Sequence, residues 1–339
     1  MPTDAFHRRP GSARALATLA AVLVAVSACG SSGAVSSPTG SAPSKATSSA
    51  PETSTPSTPT VAASASPLAA LSLLWEKGAP STARADTYWP AIDPPTGNVW
   101  VASSFDNQYW IFGADGKFLE AWGSPGKGPG QFKLTTNDPK PDAVGAIAFA
   151  PDGSFYVVDN GNYRVEKFDK NRQFVTMWGS FGTGDGQFAN PKGIATDGKT
   201  VYVADDPRFD IQAFDTTGRF LRSFPFPFVL FSRAPTGHLF VADETGVLEL
   251  DGIGKQIRHL DLDFTALGGY PAQTAVDKAG DIFVELQTDA PVGLVELDSR
   301  GRILHDWSVG GETMALAPDG KAVYVASYGW DFIRKYALP

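Results

Sequence analysis

The sequence predicts an all-β fold, a six-bladed β-propeller of four-stranded antiparallel blades closed by an N-terminal strand that completes the last blade. Three observations predict it. A strand cassette recurs six times, a hairpin signature follows five of those copies, and the two ends of the folded region are each incomplete in a way that fits the other. Self-similarity at a fixed period near 45 residues is the mark of a propeller blade.

The chain begins with segments that must be set aside before the fold is read. Arg8, Arg9 and Arg14 precede an apolar run from Ala15 to Val26, too short to cross a bilayer as a permanent helix. Small residues then lead into Cys29, the only cysteine in 339 residues. This arrangement resembles a bacterial lipobox, which implies cleavage after residue 28 and a lipid on the Cys29 thiol. Residues 1–28 are therefore expected to be a lipoprotein signal peptide, and 29–70 a lipidated cysteine followed by a disordered tether. The tether is almost entirely Ser, Thr, Pro, Ala and Gly, and cannot bury enough apolar surface to offset the entropy of ordering it. As a flexible coil it would span roughly 35 Å. The expected location is the extracytoplasmic face of a cell membrane.

Residues 71–339 carry the repeat. Second-strand candidates read VWVAS from Val99, FYVVD from Phe155, VYVAD from Val201, LFVAD from Leu239, IFVEL from Ile282 and VYVAS from Val323. Branched and aromatic residues dominate each copy, as strands require. Inner-strand candidates precede them, ending near Asp93, Ala150, Asp197, Ala234, Asp277 and Ala317. After them come hairpins with an apolar run, a turn and a second run: FGADGKFL from Phe112, FDKNRQFV from Phe168, FDTTGRFL from Phe214, LDGIGKQI from Leu250 and LDSRGRIL from Leu297. A type I turn followed by a positive-φ residue suits the recurring Gly. Arg172 stands where the other four copies have Gly, so a distorted turn is expected there.

The segments WGSPGKGPGQF (122–132) and WGSFGTGDGQF (178–188) match at every glycine. A phosphate-cradling reading of the first is weak, because its double lacks the lysine; a turn between blades is the better reading. Closure follows from the ends. The sixth copy stops after a third strand, and residues 71–78 form an orphan strand ahead of the first inner strand. Pairing the two removes an exposed sheet edge.

The intact run from Gly186 to Ala195 (GQFANPKGIA), followed by VYVAD, resembles the NHL repeat, as does Asp159 with Asn162, Arg164 and Val165. The resemblance spans essentially 71–339 and is weak around 228–262. It implies a binding platform; only some such propellers are enzymes.

Net charge is -8, which disfavours nucleic acid as a partner. In this connectivity the loops entering inner strands and the turns between second and third strands share one face. That face would gather Asp106, Asp159, Asn162, Asp205, Asp206, Asp243, Glu244, Glu285 and Asp289 against Arg164 and Arg208. Such a rim focuses field on a cation or cationic group. The competing structural reading is that the recurrent Asp caps a turn and pairs with an Arg, as Asp159 would with Arg164. Trp89, Trp110, Tyr163, Phe209 and Trp330 lie near the same loops, either gripping a ligand or packing between blades, and Lys133 to Ala143 is an inserted loop there.

No cofactor is expected from the residues themselves. Calcium enters only through a likeness to regucalcin and gluconolactonase propellers, of whose channel ligands this sequence supplies no full set. Glu312 enters the sixth inner strand and Asp142 the second. His238, His259 and His305 lie away from the channel mouth, against a zinc site. The leading expectation is a lipid-anchored platform recognising a protein, peptide or glycan through Asp142, Asp159, Arg164, Asp205, Asp206, Arg208, Asp243, Glu244 and Glu312. The alternative is a metal-dependent hydrolase or lyase.

Overall fold

The computed structural model describes residues 71–78, 87–134, 145–226, 231–287, 293–309, 311, 313–326 and 332–339. The expected leader, tether and Cys29, together with Asp142, Glu312, Asp289, Trp330 and most of the inserted loop, lie outside them.

Six four-stranded antiparallel sheets form the fold. From inner to outer strand, blade 1 is Thr87–Ile92, Val99–Ser103, Gln108–Phe112 and Phe118–Trp122. Blade 2 is Ile147–Phe149, Phe155–Asp159, Arg164–Phe168 and Phe174–Trp178; blade 3 is Pro191–Thr196, Thr200–Asp205, Asp210–Asp215 and Phe220–Pro225. Blade 4 is Ser232–Arg233, Leu239–Asp243, Gly246–Leu250 and Gln256–Asp261, its inner strand only two residues long. Blade 5 is Tyr270–Val276, Ile282–Gln287, Leu294–Leu297 and Ile303–Trp307. Blade 6 is Thr313–Leu316, Ala322–Ala326, Phe332–Ala337 and, from the other end of the folded region, Leu73–Gly78.

That last pairing is the predicted closure. Trp75 pairs with Lys335, Glu76 with Arg334 and Lys77 with Ile333, antiparallel. Glu76 also meets the Arg334 guanidinium at 2.8 Å. Inner strands neighbour one another in blade order, and blade 6 returns to blade 1.

Among the described residues an apolar cluster lies at each of the six blade interfaces, and a smaller one of Trp89, Ala146 and Val158 joins the inner strands. Val99, Val101 and Trp110 pack on Tyr324 and Ile333 of blade 6, while Trp100, Ala102 and Ile111 pack on Ile147, Phe155 and Phe168 of blade 2. Successive residues of one strand thus serve two different interfaces. This is why the second strands read as unbroken apolar runs, buried at all five positions in blades 1, 2 and 6. Trp110, a candidate for the ligand face, is only 1% exposed and belongs to the blade 6–1 core.

The expected distortion at Arg172 is corrected by the structure. Arg172 takes φ 66, and its turn keeps the same bonds as the glycine turns, Arg172 N to Asp169 O and Asp169 N to Gln173 O, both 2.9 Å. The hairpin geometry prevails, and the residue bears the strain.

Candidate functional site

Antiparallel connectivity puts the second-to-third-strand turns and the interblade connections on one face. In blade 2 that rim is built around Asp159 and Arg164. Asp159 ends the second strand, fully buried. Its Oδ1 accepts from the Lys133 amide at 2.7 Å, and its Oδ2 from Asn162 Nδ2 and Arg164 Nε, both at 2.8 Å. Burial pushes its carboxyl above the usual range, against these bonds.

The remaining Arg164 nitrogens turn outward along the strand. They donate to the carbonyls of Lys127, Gly128 and Gln131 and to Glu166 Oε1 at 2.7 Å. Glu166 is fully buried, accepts the Gly130 amide at 2.9 Å, and is pushed up to about 7 by burial. The connection 122–132 therefore aims three carbonyls at a guanidinium. A phosphate cradle would aim amides at an anion, so the loop is a cation cage that fastens blade 1 to blade 2.

Blade 3 repeats the device. Asp205, 1% exposed, accepts the amides of Ala189 and Asn190 at 2.7 and 2.5 Å. Arg208 donates to the carbonyls of Thr183 and Gly184, pairs with Asp210 at 2.7 Å, and stands 3.8 Å from Asp205. Gln212 takes the place of Glu166, accepting the Gly186 amide at 2.8 Å. The shared glycines close both loops: Gly126 and Gly182 bond the carbonyls of Phe132 and Phe188, and a Cβ on either would strike the side chain of Gln131 or Gln187.

Four sequence candidates, Asp159, Arg164, Asp205 and Arg208, are thus engaged in holding the rim together. Three others face outward. Asp206 is part-exposed and pairs with Lys192 Nζ at 2.6 Å; Asp243 accepts from Thr245 at 2.6 and 2.7 Å; Glu244 is exposed. Lys192, a buried inner-strand cation, was not legible as part of the site, because only the fold brings it to Asp206.

Aromatic rings complete the rim. Tyr163 and Phe209 end equivalent turns in the left-handed region, φ 59 and 51, as Asn107 does in blade 1 at φ 52. Phe209 is 58% exposed, and Phe181, whose ring meets Tyr163 edge-on at 4.9 Å, is 68% exposed. Phe181 was missed in the sequence because it sits inside the glycine-rich segment. Trp89, at φ 52, is buried instead, packing on Ala146 and Val158.

Among the described residues no group of three or more His, Cys, Asp or Glu side chains lies close enough to hold a metal ion. The histidines bond locally: His238 to Glu249, His259 to Asp261 and His305 to Glu296.

The ring and its two rim faces define the class of protein, a six-bladed β-propeller. Solved structures of that shape match it. Virginiamycin B lyase from Staphylococcus aureus matches with a TM-score of 0.52 and 14% identity over 78% of this chain and 99% of that one. A gluconolactonase from Xanthomonas campestris gives 0.56 and 12% identity over 78% and 88%. The RRP9 WD40 repeats give 0.53 and 9% identity over 80% and 100%. At these identities the likeness is one of fold. No protein-family model matches the chain, and no curated protein matches its sequence.

Proposed function

We propose that the chain is a membrane-anchored, extracytoplasmic binding platform of the NHL-repeat type, tethered by a lipid on Cys29, that recognises a protein, peptide or glycan on this rim. The observation that carries the reading is the exposed pair Phe181 and Phe209, Phe181 on the connection whose carbonyls Arg208 holds and Phe209 in a turn fixed by backbone bonds to Asp205, Asp206 and Phe226. Rings presented by such loops have little freedom left to lose on binding. Bulky residues held at positive φ are where strain and function coincide. On the neighbouring blade's turn of the same rim, Asp243 and Glu244 favour a neutral or basic partner over an anionic one.

The anchor rests on small residues leading into a lone cysteine, ahead of a segment suited to a leash. Cys29→Ser is expected to release the protein from the membrane fraction; unchanged fractionation would contradict it. For the rim, wild-type chain and a Phe181→Ser/Phe209→Ala variant would each be used to recover partners from cell envelope. The variant is expected to lose specific partners, and identical recovery overturns the rim as the binding surface.

A further inference from the structure

The opposite face, which carries the hairpin turns, holds one turn unlike the others. Four of the five turns between third and fourth strands place a glycine at positive φ: Gly116 at 80, Gly218 at 88, Gly254 at 84 and Gly301 at 81. A Cβ there would meet the neighbouring blade's outer strand, at 2.8 Å for Trp75, 2.6 Å for Trp178, 2.3 Å for Phe224 and 3.1 Å for Leu260. Those glycines let their turns pack tightly on the neighbouring blade's outer strand. Arg172 takes the same conformation with a full side chain, so its turn cannot pack on blade 1 in that way.

Beside this turn lies a cleft of about 260 Å³, lined by residues including Asp93, Trp100, Glu120, Phe149, Phe155, Lys170 and Arg172. The Arg172 guanidinium lies 5.9 Å from the Trp100 ring centre and bridges to Glu120 at 2.9 Å. Trp100 is 4% exposed, and its indole N–H has no hydrogen-bond partner among the described residues.

We propose that this cleft is a second binding site, separate from the rim, and that it takes one sugar unit. Charge argues for a neutral ligand, since Asp93 and Glu120 offset Lys170 and Arg172. Hydrogen bonding argues for one rich in hydroxyls, because the walls offer donors from Lys170 and Arg172 and acceptors from the carboxylates. Phe149 and Phe155 supply apolar wall for the C–H face of a ring. The volume falls just below the range of roughly 300–1,000 Å³ usual for drug-sized ligands, which limits the occupant to about one ring.

The test uses full-chain protein with ¹⁵N-labelled tryptophan, the Trp100 indole resonance being assigned with Trp100→Phe. Glucose, N-acetylglucosamine and maltose would be titrated into the tens of millimolar, with benzoate as an anionic probe. At least one sugar is expected to move the Trp100 resonance saturably. Arg172→Gly restores the residue of the other four turns, so it should fold with an equal or higher Tm and bind that sugar at least about tenfold more weakly. Phe209→Ala on the rim should leave the response unchanged, which separates this site from the rim reading. The proposal is overturned if no sugar moves the resonance, if benzoate alone does, or if Arg172→Gly binds as the wild type does.

Discussion

Arg164 Nε meets Asp159 Oδ2 at 2.8 Å across the turn that joins the second and third strands of blade 2, and the same guanidinium reaches Glu166 at 2.7 Å. One cation thus bonds two buried carboxyl groups while gripping three carbonyls of the preceding connection.

Arg164→Ala leaves both carboxylates without their cation. Breaking a buried pair in this way costs about 3–5 kcal/mol, and urea unfolding is expected to register a loss of that size. Arg208→Ala should lose less, because its blade carries neutral Gln212 where blade 2 has Glu166, and Asp205 stands at 3.8 Å.

Glu166 gives a pH signature. Its folded carboxyl is raised by burial to about 7, against an ordinary value of 4.5. Between those pH values the unfolded state has released the proton and the folded state still holds it, so rising pH favours unfolding through this window. Gln212 shows that an amide is accommodated at the equivalent place. Glu166→Gln is therefore expected to fold, and its urea midpoint should fall less than the wild type's between pH 5 and pH 8. Parallel slopes for the two proteins would refute the assignment.

Gly218→Ala tests the glycine-packed turns. The new Cβ would sit 2.6 Å from Trp178 at a φ of 88, so crowding and backbone strain act together. A loss of about 1–3 kcal/mol is expected in thermal or urea unfolding.

Ring closure has its own test. Removing residues 71–78 uncovers the edge of Phe332–Ala337 and takes away the Glu76–Arg334 pair and the Trp75 indole bond to the Ala114 carbonyl at 3.1 Å. Light scattering should then show concentration-dependent association, since an open edge recruits further strands. Trp75→Ala alone, at a half-buried position, should cost about 2 kcal/mol and leave the association state of the wild type unchanged.

Much of this molecule was written in local pattern. The six second strands, the hairpins and the orphan strand at 71–78 were legible because strand alternation and turn residues act over a few neighbouring positions. The pairing of Asp159 with Arg164 was also within reach, five residues apart across one turn. Other features were decided only by the tertiary structure: Trp110 buried between blades 6 and 1, Lys192 brought to Asp206, Phe181 left in solvent, and Arg172 lining a cleft at φ 66. The physical reason is that burial and partnership depend on which blade packs against which. Those contacts join residues far apart in the chain, and they arise from the twist of each sheet and the closure of the ring.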